Sequence, residues 1–184
     1  MSDVFARLIE GILGREGGYV NNPDDRGGET IWGITVGTAR RYGFHGAMRS
    51  MTRQQAIEIY RDRYWAAPGF DKIALLSGKV AEELFDTGIN MGPAVGAEML
   101  QRCLNALNRQ GKDFPDIKAD GDAGPATRSS LAAFLRLRGK EGETVLLRGL
   151  NALQGAKYIT LAEGRQANET FVYGWLRTRV DITA

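Results

Sequence analysis

Between Glu16 and Thr35 the chain reads EGGYVNNPDDRGGETIWGIT. Carboxylates set beside glycine-rich turns are the equipment of acid-catalysed cleavage of a glycosidic bond. One carboxyl must donate a proton to the leaving oxygen, and a second group must stabilise positive charge or activate water. The donor needs apolar surroundings that hold its proton, and the second carboxylate needs the opposite. Glu16 fits the donor: it follows an apolar helical stripe, faces the negative end of that helix, and has Tyr19 and Trp32 close in sequence to exclude water. Asp25 fits the second role, because Arg26, Gly27 and Gly28 offer charge and free backbone N–H groups that favour the ionised form. Thr30 could hold a water opposite the scissile bond, and the glycines admit a polymer close to the backbone.

Composition alone favours a plainer reading, in which Glu16, Asp24, Asp25 and Glu29 are solvated turn residues, since Asp and Gly populate turns for backbone reasons. A calcium loop is a weaker rival, because these acidic residues lack the alternating spacing of an EF-hand.

The elements that must position these groups are mostly helical. Val4, Leu8 and Ile12 recur at i+4 beside Phe5, Ile9 and Leu13, which predicts an amphipathic helix over 3–15, stopped by Gly14 and Gly17-Gly18. Asn22-Pro23-Asp24-Asp25 and Gly27-Gly28 are turn signals, and Ile31, Trp32 and Ile34 give a brief strand-like run. A small β-hairpin or turn element is therefore expected at about 19–35, with Thr35 capping a helix from Val36 to Tyr42. Thr52 and Gln55 form a capping-box pattern that opens a helix over 52–64. Ser77 caps the most apolar helix, 77–91, near whose end Asp86 and Asn90 stand at i and i+4. Asn90 could reach into a cleft or serve as a cap. Pro93 starts a helix to about Leu107, and 108–122 reads as a loop. Further helices follow: one with Leu131, Phe134 and Leu135 inward, then 141–163, then Phe171 to Val180.

Composition narrows the partners. Twenty-four basic against 22 acidic residues give a formal charge of +2, too little to argue for nucleic acid. The single cysteine, Cys103, excludes an internal disulfide framework and reads as a small buried apolar residue. The single histidine, His45, makes a His-rich metal site or a Ser-His-Asp triad an unsuitable reading. No segment approaches the roughly 20 apolar residues of a membrane-spanning helix. Asp3 and Glu10 interrupt the N-terminus, so no signal peptide is expected.

The run from Glu16 to Thr35 resembles the signature of glycoside hydrolase family 108, the N-acetylmuramidases found as phage endolysins and prophage proteins: Glu-Gly-Gly-Tyr, an Asn/Asp-Pro-x-Asp-x-Gly-Gly-x-Thr run, then Gly-Ile-Thr. Tyr60-Arg61-Asp62-Arg63-Tyr64-Trp65, Phe85 to Pro93 and Gly174-Trp175-Leu176-Arg177 resemble later segments of that family. Asp120-Gly121-Asp122-Ala123-Gly124-Pro125-Ala126-Thr127 resembles a turn in a small helical domain usually called peptidoglycan-binding. The resemblance implies a mainly α, lysozyme-like fold, with a catalytic lobe over 1–90 and a closely docked helical lobe over 91–184. It implies Glu16 as general acid, Asp25 as second carboxylate and Thr30 as its helper; Asp24 stays an alternative to Asp25. Tyr19, Trp32 and Asn90 are the substrate-binding candidates. The implied partner is peptidoglycan, and the implied reaction is hydrolysis of its β-1,4 bond between N-acetylmuramic acid and N-acetylglucosamine. No metal, organic cofactor or stable membrane association is implied. A monomer is expected, made in the cytoplasm and released to the cell wall by a holin, or used by a bacterium to loosen its own wall. A lytic transglycosylase on a similar fold and a wall-binding module without turnover are the rivals.

Overall fold

The computed structural model describes residues 3–15, 18–21 and 28–180. The fold is mainly α with one small antiparallel β element, the class implied by the sequence. The chain divides into two compact units, Met1–Ala67 and Pro68–Ala184.

In the first unit, α1 (Asp3–Arg15) buries Phe5, Ile9 and Leu13, one residue per turn along the expected stripe. Strands β1 (Thr30–Ile31) and β2 (Ile34–Thr35) form a hairpin that buries Ile31 and Ile34. Helix α2 (Val36–Arg41) begins at once, because the Thr35 hydroxyl accepts from the Thr38 N–H. A short 3-10 turn, Met48–Ser50, leads to α3 (Arg53–Tyr60), whose Thr52–Gln55 capping box is fully formed. An ion pair from Arg53 to Glu10, 2.6 Å, joins α3 to α1.

The helix expected over 52–64 changes character at Arg61. Residues Arg61–Ala66 widen into a π-helix, and the Ala67 N–H reaches back to the Asp62 carbonyl at 2.9 Å. The wider turn inserts a residue into the helical phase. Trp65 is thereby buried with its ring 5.7 Å from that of Phe5, while Tyr64 lies 5.6 Å from Tyr60.

The second unit is helical throughout its regular structure. A short α4 (Phe70–Ile73) precedes α5 (Gly78–Met91), α6 (Pro93–Leu107), α7 (Pro125–Glu163), a 3-10 turn at Gln166–Asn168 and α8 (Glu169–Arg179). Ser77 caps α5 through the Val80 N–H at 3.0 Å, as its sequence position predicts. Helix α5 packs on α4, α6 and α7 through Val80, Leu84 and Phe85, all buried. Cys103 lies buried on α6, with its sulfur 3.1 Å from where a Cβ on Gly149 would stand.

The helix expected around Leu131, Phe134 and Leu135 and the one expected over 141–163 run together as α7 and are broken at Gly139 alone (φ 58°, ψ −148°). That conformation is essentially restricted to glycine. The break folds the chain so closely that a Cβ on Gly142 would lie 2.1 Å from the Cβ of Arg138. A cavity of about 260 Å³, lined by Leu107, Phe134, Arg138 and Val145 among others, sits beside the break.

Residues 108–122 form the expected loop, held by side chains from one polar face of α6 and its cap. Asn105 pairs with both backbone groups of Ile117, at 2.7 and 2.9 Å, as a strand neighbour would. Asn108 accepts from the Gly111 N–H at 2.9 Å. The buried Gln101 donates to the Asp120 carboxylate and the Asp122 carbonyl, at 3.0 and 2.8 Å, and accepts from the Gly121 N–H at 2.9 Å. Gly121 (φ 78°) cannot be replaced without conflict, since a Cβ there would lie 2.8 Å from the Ala94 carbonyl oxygen. The Asp-Gly-Asp-Ala-Gly-Pro-Ala-Thr run therefore has a complete structural role: it shapes the entrance to α7.

Candidate active site

The hairpin β1–β2 turns through only two residues, Trp32 and Gly33, both with positive φ (53° and 72°). This is the φ signature of a type I′ turn, whose first position normally takes Asn, Asp or Gly. A bulky aromatic residue there is strained. Two hydrogen bonds hold it: the Trp32 indole N–H donates to the Met51 carbonyl at 3.0 Å, and the Tyr60 hydroxyl donates to the Trp32 carbonyl at 3.2 Å. The indole is thus anchored at its polar edge and half-buried.

Thr30 stands at the start of β1. Its N–H and C=O both pair with Val20 at 2.8 Å, and its hydroxyl donates to the Gly28 carbonyl at 3.3 Å. This isolated bridge sets the Tyr19 and Thr30 arms of the motif side by side. Tyr19 is half-buried with the Arg49 guanidinium 3.9 Å from its ring centroid, a cation–π contact that fixes the ring. The Glu29 carbonyl accepts from the Val36 N–H at 2.8 Å, tying the end of the motif to the start of α2.

The structure thus gathers Tyr19, Thr30 and Trp32 around one hairpin of the first unit. Glu16, Asp24 and Asp25 lie outside the described residues; Glu16 directly follows Arg15, the last residue of α1. Asn90 belongs to the second unit, exposed in the last turn of α5. Its amide N–H₂ donates to the Asp86 carbonyl at 2.7 Å. Asp86 is in turn paired with Arg179 of α8 at 2.6 Å and accepts from Gln154 of α7 at 3.1 Å.

Several of these supports carry no advance signal in the sequence. Arg49 sits in a short 3-10 turn that no periodicity marks. The Arg179–Asp86 pair spans 93 residues. Only the i, i+4 spacing of Asp86 and Asn90 hints that the two act together. Tyr60 and Trp65 are buried, in keeping with a core role, while Tyr60 also supports the hairpin through its hydroxyl. Among the described residues, no group of three or more His, Cys, Asp or Glu could hold a metal ion, and no helix is long and apolar enough to cross a membrane.

Residues 9–92 match the family model described as Glycosyl hydrolase 108, and residues 95–180 match the one described as Predicted Peptidoglycan domain. Among solved structures, that of Brucella abortus SagA is similar: it is 23% identical, with a TM-score of 0.65, and the match covers 100% of this chain and 99% of that one. At that identity the likeness speaks for the fold. No curated protein matches the chain. The N-terminal half of the chain therefore belongs to glycosyl hydrolase family 108, a glycoside hydrolase joined to a C-terminal region of the predicted peptidoglycan family.

Proposed function

We propose that the protein is an N-acetylmuramidase: it hydrolyses the β-1,4 bond between N-acetylmuramic acid and N-acetylglucosamine in peptidoglycan. Action on peptidoglycan in general follows from the two families joined in one chain. In the finer reading, Glu16 donates the proton to the leaving oxygen. Asp25 stabilises the oxocarbenium-like transition state or positions water, with Thr30 assisting. Tyr19, Trp32 and Asn90 contact the glycan. In this reading the functional division lies at residue 90, with 1–90 carrying the chemistry and 91–184 the wall-directed region; the separate family matches over 9–92 and 95–180 support it. The setting is wall degradation, either host-cell lysis by a monomeric endolysin released through a holin or remodelling of a bacterium's own wall.

The observation that supports this reading best is the strained Trp32 turn. A tryptophan at φ 53° in a two-residue turn carries a backbone cost that Asn, Asp or Gly there would avoid, so the position is kept for the indole itself. It lies inside the motif that bears the carboxylates, beside the paired Tyr19 and Thr30 arms.

The test is digestion of purified peptidoglycan with reducing-end analysis and mass spectrometry of the fragments. Glu16→Gln should retain the fold and lose roughly 10²–10⁴-fold in rate. Asp25→Asn should also be severely impaired. Near-normal turnover by Glu16→Gln would remove Glu16 from the mechanism. Anhydro-sugar ends in place of reducing ends would make the enzyme a lytic transglycosylase.

A further inference from the structure

The two sugars of a peptidoglycan strand share the same ring and acetamido group. They differ by the lactyl ether that muramic acid carries. A hydrolase that cuts on one side of muramic acid must read that arm. Its distinguishing chemistry is negative charge: a carboxylate on the bare lactyl group or, where a stem peptide is attached, the carboxylates of the peptide. The side chain suited to a carboxylate is a guanidinium held in place beside the catalytic motif.

Arg49 meets that description. Its guanidinium carbon lies 3.9 Å from the centre of the Tyr19 ring. The turn that bears it, Met48–Ser50, is pinned from both sides. Met48 and Met51 are buried, the Ser50 hydroxyl donates to the Ala47 carbonyl at 2.8 Å, and the Met51 carbonyl accepts from the Trp32 indole at 3.0 Å. Tyr19 and Trp32 are joined in turn through the Val20–Thr30 bridge and the hairpin. Arg49 thus closes a ring of contacts with the motif, all within the first unit. It is exposed and makes no ion pair with a carboxylate among the described residues. The arginines nearest in sequence are committed: Arg53 to Glu10, Arg40 to the carbonyls of Phe44 and Gly46, and Arg41 to the Thr38 hydroxyl. Glu16 precedes Tyr19 by three residues, so their Cα atoms stand within roughly 11 Å of each other whatever the path between them. A glycan of several rings seated for cleavage at Glu16 extends beyond that distance, into the neighbourhood of Arg49.

We propose that Arg49 is a specificity-determining residue of the hydrolase: its guanidinium, held on the face of Tyr19, pairs with a carboxylate on the lactyl arm of muramic acid or on the stem peptide attached there. This rests on the muramidase reading, with Glu16 as the acid. Contact with Tyr19 restricts a long side chain before the substrate arrives, so less rotamer freedom is lost on binding.

The experiment measures KM and kcat on soluble strands bearing stem peptides, and on the same strands after carbodiimide and ammonium have converted their carboxylates to amides. Wild type should show a KM roughly five- to tenfold higher on the amidated strands, with kcat nearly unchanged. Arg49→Gln should show that raised KM already on the native strands, and no further rise on the amidated ones. A residue that merely steadied Tyr19 would raise KM on both substrates alike, and that result overturns the proposal, as does a wild-type KM for Arg49→Gln on native strands. Strands stripped of their peptides at the lactyl amide bond separate the two sources: an Arg49 effect retained there assigns the carboxylate to the sugar, and one lost there assigns it to the stem peptide. Should Arg49→Gln fail to fold, the wild-type comparison decides, and equal KM on native and amidated strands overturns the proposal. Glu16→Gln runs alongside. Turnover that ignores Glu16 sinks the muramidase reading and this inference with it, whereas Glu16-dependent turnover indifferent to the carboxylates sinks this inference alone.

Discussion

The hydroxyl of Tyr60 donates to the carbonyl of Trp32 across 28 residues of chain, at 3.2 Å. Through that bond the end of α3 holds a turn that the local sequence would not choose. Tyr60→Phe keeps the ring and removes the hydroxyl that donates to Trp32. It should lower stability by about 1 kcal/mol in a urea titration and impair wall turnover more than this small loss accounts for. Wild-type turnover in Tyr60→Phe would show that the turn does not need this support to function.

Gly139 and Gly142 together make the break in α7. Alanine at 139 would have to adopt a conformation that costs on the order of 1–3 kcal/mol. Alanine at 142 would overlap Arg138 and cost a similar amount, about 1–3 kcal/mol, by overpacking. Both variants should show lowered denaturation midpoints with little change in helical circular dichroism. The control is Gly37→Ala on α2, where a Cβ meets nothing within 4 Å.

Acid should act on the α6 loop. The hydrogen bond from Gln101, and then the Asp122 backbone N–H, hold the Asp120 carboxyl below the usual range. Arg109, first by its hydrogen bond, does the same for Asp113. A carboxyl depressed in the folded state contributes stability that is fully present above about pH 4 and is lost as pH falls through the folded value. Asp120→Asn retains an acceptor for Gln101 and removes the titration. Its melting temperature should therefore fall less steeply than that of wild type between roughly pH 4 and pH 2. Asp120 is exposed, so the difference should be small and should narrow in salt.

Burial pushes the Cys103 thiol up to about 11. At pH 8 the native protein should react with a thiol reagent far more slowly than the denatured protein, because the thiolate is the nucleophile. Fast labelling of the native chain at that pH would mean that α6 and α7 part readily around Cys103.

Much of the helical framework is legible in the sequence because it is set by local physics. The i+4 stripe of α1, the Thr52–Gln55 box, the Ser77 cap and Pro93 each act within a turn or two of chain. The π-turn at Arg61–Ala66 is not legible in this way, since it follows from where Trp65 and Phe5 meet. Nor is Gln101: a buried glutamine on an apolar helix reads as a misplaced polar residue until the loop that it holds is seen. In the candidate site, the neighbourhood of Tyr19, Thr30 and Trp32 is readable because one short hairpin joins them. What the sequence does not reveal is the strain at Trp32, the Arg49 contact on Tyr19 or the Arg179 clamp on Asp86, all of which depend on residues brought from elsewhere in the chain.

The polar face of α6 has a consequence for how the second unit opens. Gln101, Asn105 and Asn108 pair with backbone groups of the following loop and so stand in for the neighbouring strand or turn that it lacks. The amides of Gly111, Ile117 and Gly121 are therefore tied to side chains whose own positions depend on α6 remaining helical. A segment without regular structure would then exchange its amide hydrogens in step with a helix, opening when α6 unwinds and staying closed while surface loops elsewhere fray.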